Sequence, residues 1–160
     1  MVSHKDIRKL ISDILTEIGL WSIESQRLVL GTGAVETHYI YIRQIQGPAR
    51  SFWQVEPKTA ISIFKDHLLY RPQRIDLIAQ TCMIPKGFVQ STNEDKIGFM
   101  LERNIAFAIC MCRLKYRMIP HPLPGADDIP GQAEYWNDFY NVNPDHGFPK
   151  DYIEAQKILD

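Results

Sequence analysis

Residues 97–114 read Ile97-Gly-Phe-Met-Leu-Glu-Arg-Asn-Ile-Ala-Phe-Ala-Ile-Cys-Met-Cys-Arg-Leu114, and they decide the fold class. Apolar side chains at Ile97, Met100, Leu101, Ile105, Ala108, Ile109 and Cys112 keep the three- and four-residue spacing of a helix, not the alternation of a strand. From Ile105 to Cys112 nearly every position is apolar, which leaves no face for water. The pattern predicts one helix over about 92–119, buried on all sides at the centre of an all-α domain.

Working outward, the same periodicity recurs on both sides. Residues 119–131 (Ile-Pro-His-Pro-Leu-Pro-Gly-Ala-Asp-Asp-Ile-Pro-Gly) read as a Pro-rich surface loop, with two short helices expected after it near 131–141 and 149–158. Upstream, Ile7, Leu10, Ile11, Ile14, Leu15 and Ile18 define a first helix near 4–18, capped by Ser3 and stopped by Gly19. A second starts near Ser22 or Ser25 and runs to Glu36, with Gly31 and Gly33 marking close packing. After a loop at 39–56, Pro57 opens a third helix through Ala60, Ile61, Phe64 and Leu68, and a short one follows near 73–82. No repeat or low-complexity tract interrupts the series.

Composition limits what such a domain does. With 160 residues, 45% of them hydrophobic, the chain is long enough for one core and short for two, so residues 1–160 are expected to form a single domain. The formal net charge of -1 provides no excess of cations to displace counterions from phosphates, and no basic patch stands out, so nucleic acid is not expected as a partner. No stretch reaches the roughly 18 apolar residues of a membrane span. The N-terminus turns amphipathic at once, and no signal peptide is expected. Cys82, Cys110 and Cys112 fall in apolar surroundings and read as buried free thiols. The five histidines, His4, His38, His67, His121 and His146, are scattered singly, so neither a metal nor another cofactor is expected.

The chemistry-bearing region lies between Gly33 and Thr59. Glu36 ends an apolar helix and precedes an irregular, aromatic-rich segment. A carboxyl so placed loses water, which raises its pKa and favours the protonated form that a general acid needs. The run after it is Gly47-Pro-Ala-Arg-Ser-Phe-Trp-Gln-Val-Glu-Pro-Lys-Thr-Ala60. Together with Glu36-Thr37, Asn104-Ile105 and Tyr140-Asn141, this run resembles the motif series of soluble lytic transglycosylases and goose-type lysozymes, in a variant similar to small proteins of tailed bacteriophages.

The resemblance implies a lysozyme-like helical fold and a set of roles. Glu36 takes the place of the catalytic acid, with Thr37 where the family has Ser. Ala49, Phe52, Trp53 and Gln54 match the cleft segment, and Pro57, Thr59 and Ala60 match the helix start that follows it. Asn104 and Tyr140 fall where the family contacts substrate. Three departures stand out: Pro48 replaces the Gly before Ala, Ser51 replaces a second Gly whose missing Cβ permits positive φ, and Val142 and Asn143 replace a small residue and Gly.

Most glycosidases need two carboxylates, about 5–5.5 or 6.5–9.5 Å apart, whereas transglycosylases of this family work with one Glu. The resemblance therefore implies that Glu36 protonates the bond between the muramoyl and glucosaminyl sugars of peptidoglycan. Gln54, Thr37, Tyr140 and Asn104 would contact the glycan, and Phe52 and Trp53 offer apolar surface for a sugar face or for the core; Tyr140 would otherwise pack the last helix pair. Glu56 is the candidate second acid, although Pro57 after it also suits a helix entry. His38 could touch substrate or simply face solvent, and Arg43 and Arg50 could meet peptide-stem carboxylates or be ordinary surface arginines. The partners implied are a peptidoglycan strand and other virion or tail proteins, with the chain delivered to the host wall by a particle. The alternative is a structural virion protein that keeps the fold with weak or no catalysis.

Overall fold

The computed structural model describes residues 3–141, 143, 145 and 147–159, so Val142 and His146 lie outside the described residues. Those described form nine α-helices: α1 (His4–Glu17), α2 (Ile23–Thr37), α3 (Pro57–Asp66), α4 (Pro72–Thr81), α5 (Lys86–Val89), α6 (Glu94–Arg103), α7 (Ile105–Arg117), α8 (Ile129–Phe139) and α9 (Pro149–Ala155). Single turns of 3-10 helix follow α3 and α9. The fold is all-α. No described helix is long and apolar enough to cross a membrane.

The long apolar run is two helices, not one. Asn104 has extended backbone (φ -121°, ψ 100°) and ends α6 while capping α7: its Oδ1 accepts from the Phe107 amide at 2.9 Å, and its Nδ2 donates to the Cys82 carbonyl at 2.9 Å. Asparagine competes well for a helix N-cap because its side chain replaces the missing acceptor of the first turn. The break frees α7 to turn inward. Phe107, Ala108, Ile109, Cys110, Met111, Cys112, Leu114 and Tyr116 are each at most 1% exposed, and α1, α2, α3, α4 and α6 all pack on this helix. The expected central helix is therefore α7 alone.

Helix α2 is the second buried rod. Ser22 and Ser25 cap it reciprocally, and Thr32 bonds the Tyr116 hydroxyl at 2.7 Å, joining α2 to α7. Its glycines mark close approach, as their placement suggested: a Cβ on Gly31 would strike the Tyr152 hydroxyl, and one on Gly33 the Tyr39 ring. The three cysteines are buried free thiols, with Cys82 and Cys110 sulfurs 3.9 Å apart. The Pro-rich loop is shorter than expected. Asp128 caps α8 through the Gly131 amide, so Ile129, Pro130 and Gly131 belong to the helix, with proline in its first turn where no amide is missed.

Candidate active site

Helix α2 delivers Glu36 to its last turn, where the helix stops because His38 turns left-handed (φ 51°). The loop that follows, 38–56, doubles back twice without forming a sheet. Arg43 pairs with Arg50 and Arg50 with Val55 as isolated antiparallel bridges, and Arg50 and Val55 exchange both backbone hydrogen bonds, at 2.9 and 3.0 Å. Closing only four residues, 51–54, between those bonds requires unusual backbone, and Ser51 (φ 69°) and Gln54 (φ 47°) supply it. Ser51 is the position where the resembled family has glycine, and the positive φ that glycine would serve is present with a serine in its place.

Most aromatic and hydroxyl groups of this loop are turned into the core. Trp53 is fully buried and donates its indole N–H to the Val29 carbonyl at 2.8 Å. Phe52 packs edge-on to Tyr39 and Trp53, at centroid distances of 5.4 and 6.1 Å from Tyr39 and Trp53 respectively. Thr37, fully buried, holds the Phe52 carbonyl at 2.9 Å. Thr37 was expected to touch substrate, and Phe52 and Trp53 to face either a sugar or the core; all three brace the loop, Thr37 by satisfying a loop carbonyl and the two rings by packing inward. Tyr140 lines the cleft, yet its hydroxyl donates to the Trp53 carbonyl at 2.6 Å. Asn104 caps α7 and lies on a different depression, beside Ile84 and Phe99, so it takes no part in this site.

What remains around Glu36 is a cleft of about 560 Å³, lined also by Gln54, Glu56, Thr59, Lys115 and Trp136. The Glu36 carboxyl is fixed by one strong contact, Trp136 Nε1 donating to Oε1 at 2.9 Å, while Tyr41 donates its hydroxyl to the Glu36 carbonyl at 3.0 Å. Loss of water pushes the Glu36 carboxyl up to about 7; the indole hydrogen bond and the Lys115 charge pull the other way and lose. Lys115 donates to the Tyr140 carbonyl at 2.8 Å and sits 3.7 Å above the Tyr140 ring centroid. Burial holds its ammonium below the usual lysine range, against the pull of Glu36.

Glu56 occupies the N-cap position of α3 without a side-chain cap bond, and its side chain faces the same cleft as Glu36. Gln54 lines the cleft as well, with its amide N–H tied to the Ser51 carbonyl at 2.7 Å. His38 is exposed outside it. Arg43 and Arg50 both converge on Glu102 of α6, Arg43 through two hydrogen bonds of 2.8 Å, and so tether the loop rather than reach into the cleft. Among the described residues no cluster of His, Cys, Asp and Glu could hold a metal ion.

Of the cleft residues that the sequence did not point to, Trp136 and Lys115 are the two that act on the Glu36 carboxyl. Trp136 lies four residues before Tyr140, hence on the same face of α8, and that spacing was the one signal for it. Lys115 stands three residues after Cys112, a lone cation on the apolar side of α7; a lysine in so buried a helix needs a reason. Comparison of the chain with protein-family models, with curated proteins and with solved structures gives no match.

Proposed function

We propose that this chain is a lysozyme-like domain of a phage particle that cleaves the glycan of peptidoglycan, with Glu36 as its single acid and base. The observation that carries the reading is a carboxyl held near a pKa of 7 by loss of water, fixed by an indole, at the wall of an open cleft. A group titrating near the working pH is about half protonated there, which suits it to give a proton and take it back.

The mechanism follows from that exchange. Glu36 protonates the glycosidic oxygen as the carbon–oxygen bond breaks, and the N-acetyl group of the muramoyl sugar supports the positive charge that develops. The carboxylate then removes the proton of the same sugar's 6-hydroxyl, whose oxygen closes on the anomeric carbon to form a 1,6-anhydro ring. The Gln54 amide oxygen is suited to accept from an acetamido N–H. Lys115 limits how far the pKa of Glu36 rises, so the carboxylate still forms in the second step.

A second reading is favoured by one observation. Of the residues offered to the glycan, Thr37 and Trp53 are buried in the core and Phe52 packs half-buried against it, as a structural virion protein that kept the fold would require. Digestion of purified peptidoglycan by wild type and Glu36→Gln, with products read by mass spectrometry, separates the two. Anhydro products lost in the variant support the transglycosylase. Reducing-end products make the enzyme a hydrolase and bring in Glu56 as the base that activates water. No turnover by folded wild type overturns the enzyme reading.

A further inference from the structure

Away from the cleft, helix α7 presents Arg113 and Arg117, four residues apart and each about 200° around the helix from Lys115 at 100° per residue. Arg71 and Arg74, three apart at the start of α4, lie close enough for the charges to act on one another: Arg117 on Arg74 and Arg113, and Arg71 on Arg74. Arg74 donates to the Ile18 carbonyl and Arg113 Nε to the Leu20 carbonyl at 3.3 Å, so both guanidiniums close on the same turn after α1. Arg71 donates to the His67 carbonyl at 2.8 Å. No carboxylate among the described residues forms an ion pair with any of the four.

The C-terminal end of α1, worth roughly half a negative charge, meets Arg74 through the Ile18 carbonyl. Three of the four guanidiniums donate to backbone carbonyls, and no ion pair among the described residues neutralises their charges. Arg113 is 8% exposed, and its Nη1 is buried with no hydrogen-bond partner. Burial and the neighbouring guanidiniums both hold Arg113 and Arg74 below the usual arginine range, the mark of cations crowded without an anion.

We propose that Arg71, Arg74, Arg113 and Arg117 form a binding site for a phosphate-type oxyanion. Planar guanidinium forks match the oxygens of a tetrahedral anion in pairs, and a doubly charged ligand suits the surplus better than a single carboxylate. Arg71 and Arg117 are exposed and form the open side, while Arg74 and Arg113 are held at the back by the α1 turn. Such an anion comes either free or as a group along a phosphodiester polymer.

The test is calorimetric titration of the full chain with sodium phosphate against sodium chloride at constant ionic strength, then with poly(glycerol phosphate). Saturable phosphate binding that falls about tenfold or more in Arg117→Ala and in Arg71→Ala, and is unchanged in the remote Lys150→Ala, supports the site. Both variants alter exposed residues, so circular dichroism should match wild type. Affinity per phosphate that rises with the polymer assigns the anion to a chain; equal affinity assigns it to the free ion. Heats no larger than those of chloride, or binding indifferent to both arginine substitutions, overturn the proposal.

Discussion

Trp136 and Glu36, 100 residues apart, are joined by a single hydrogen bond of 2.9 Å from the indole nitrogen to the carboxyl oxygen. An indole only donates, so this bond favours the carboxylate and opposes the loss of water that protects the acid. The protonation of Glu36 is set by that contest.

Replacing Trp136 with Phe removes the donor and keeps most of the packing, so the pKa of Glu36 rises above about 7. The alkaline limb of a kcat/KM profile on glycan fragments then moves to higher pH. Lys115→Met moves it the same way, because the lost charge also favoured the carboxylate. A limb that stays in place, or shifts to lower pH, would show that Glu36 is not the group titrating in catalysis.

The same carboxyl makes the domain less stable in alkali. Its pKa is 4.5 in the unfolded chain and about 7 in the fold, so the native state binds the extra proton between those values. The stabilisation is complete below pH 4.5 and is lost as pH rises through 7, a change on the order of 3 kcal/mol. Thermal melting should find Glu36→Gln level with wild type at pH 4 and several degrees more stable at pH 8. Equal melting temperatures at both pH values would contradict a Glu36 carboxyl whose pKa the fold raises to about 7.

Ser51 bears positive φ and accepts the Trp53 amide on its hydroxyl at 3.3 Å. Alanine there keeps the backbone strain and loses the acceptor, and should destabilise by about 1–2 kcal/mol in urea titration. Glycine loses the acceptor but relieves the strain, so it should stay within about 1 kcal/mol of wild type. Alanine tolerated better than glycine would refute the left-handed reversal at 51.

Gly33 faces the ring of Tyr39, which is itself held by its hydroxyl donating to the Leu30 carbonyl at 2.7 Å. The ring has no room to retreat. Gly33→Ala should cost about 1–3 kcal/mol despite the better helix propensity of alanine. A gain in stability would mean that the ring moves freely.

The helices were legible because their causes are local. Ser3 and Ser22 as caps, Pro57 at a first turn, and the apolar spacing of α1 and α7 can each be read within a dozen residues. The break at Asn104 could have been anticipated from its cap propensity, but the unbroken apolar pattern on either side concealed it. Glu36 was legible too, as a carboxyl at the end of an apolar helix. The inward turn of Thr37, Phe52 and Trp53 was not, since a short aromatic run reads the same whether it faces a sugar or a core.

The chain's order of residues was enough for an all-α architecture, its buried thiols and its one well-placed acid, because each depends on neighbours a turn or two away. Tertiary packing alone decided that Trp136 and Lys115 would flank Glu36, that Tyr140 would brace a loop, and that Arg71, Arg74, Arg113 and Arg117 would gather on one face. Desolvation and charge pairing act through space, and a net charge of -1 summed along a chain gives no sign of where four arginines meet.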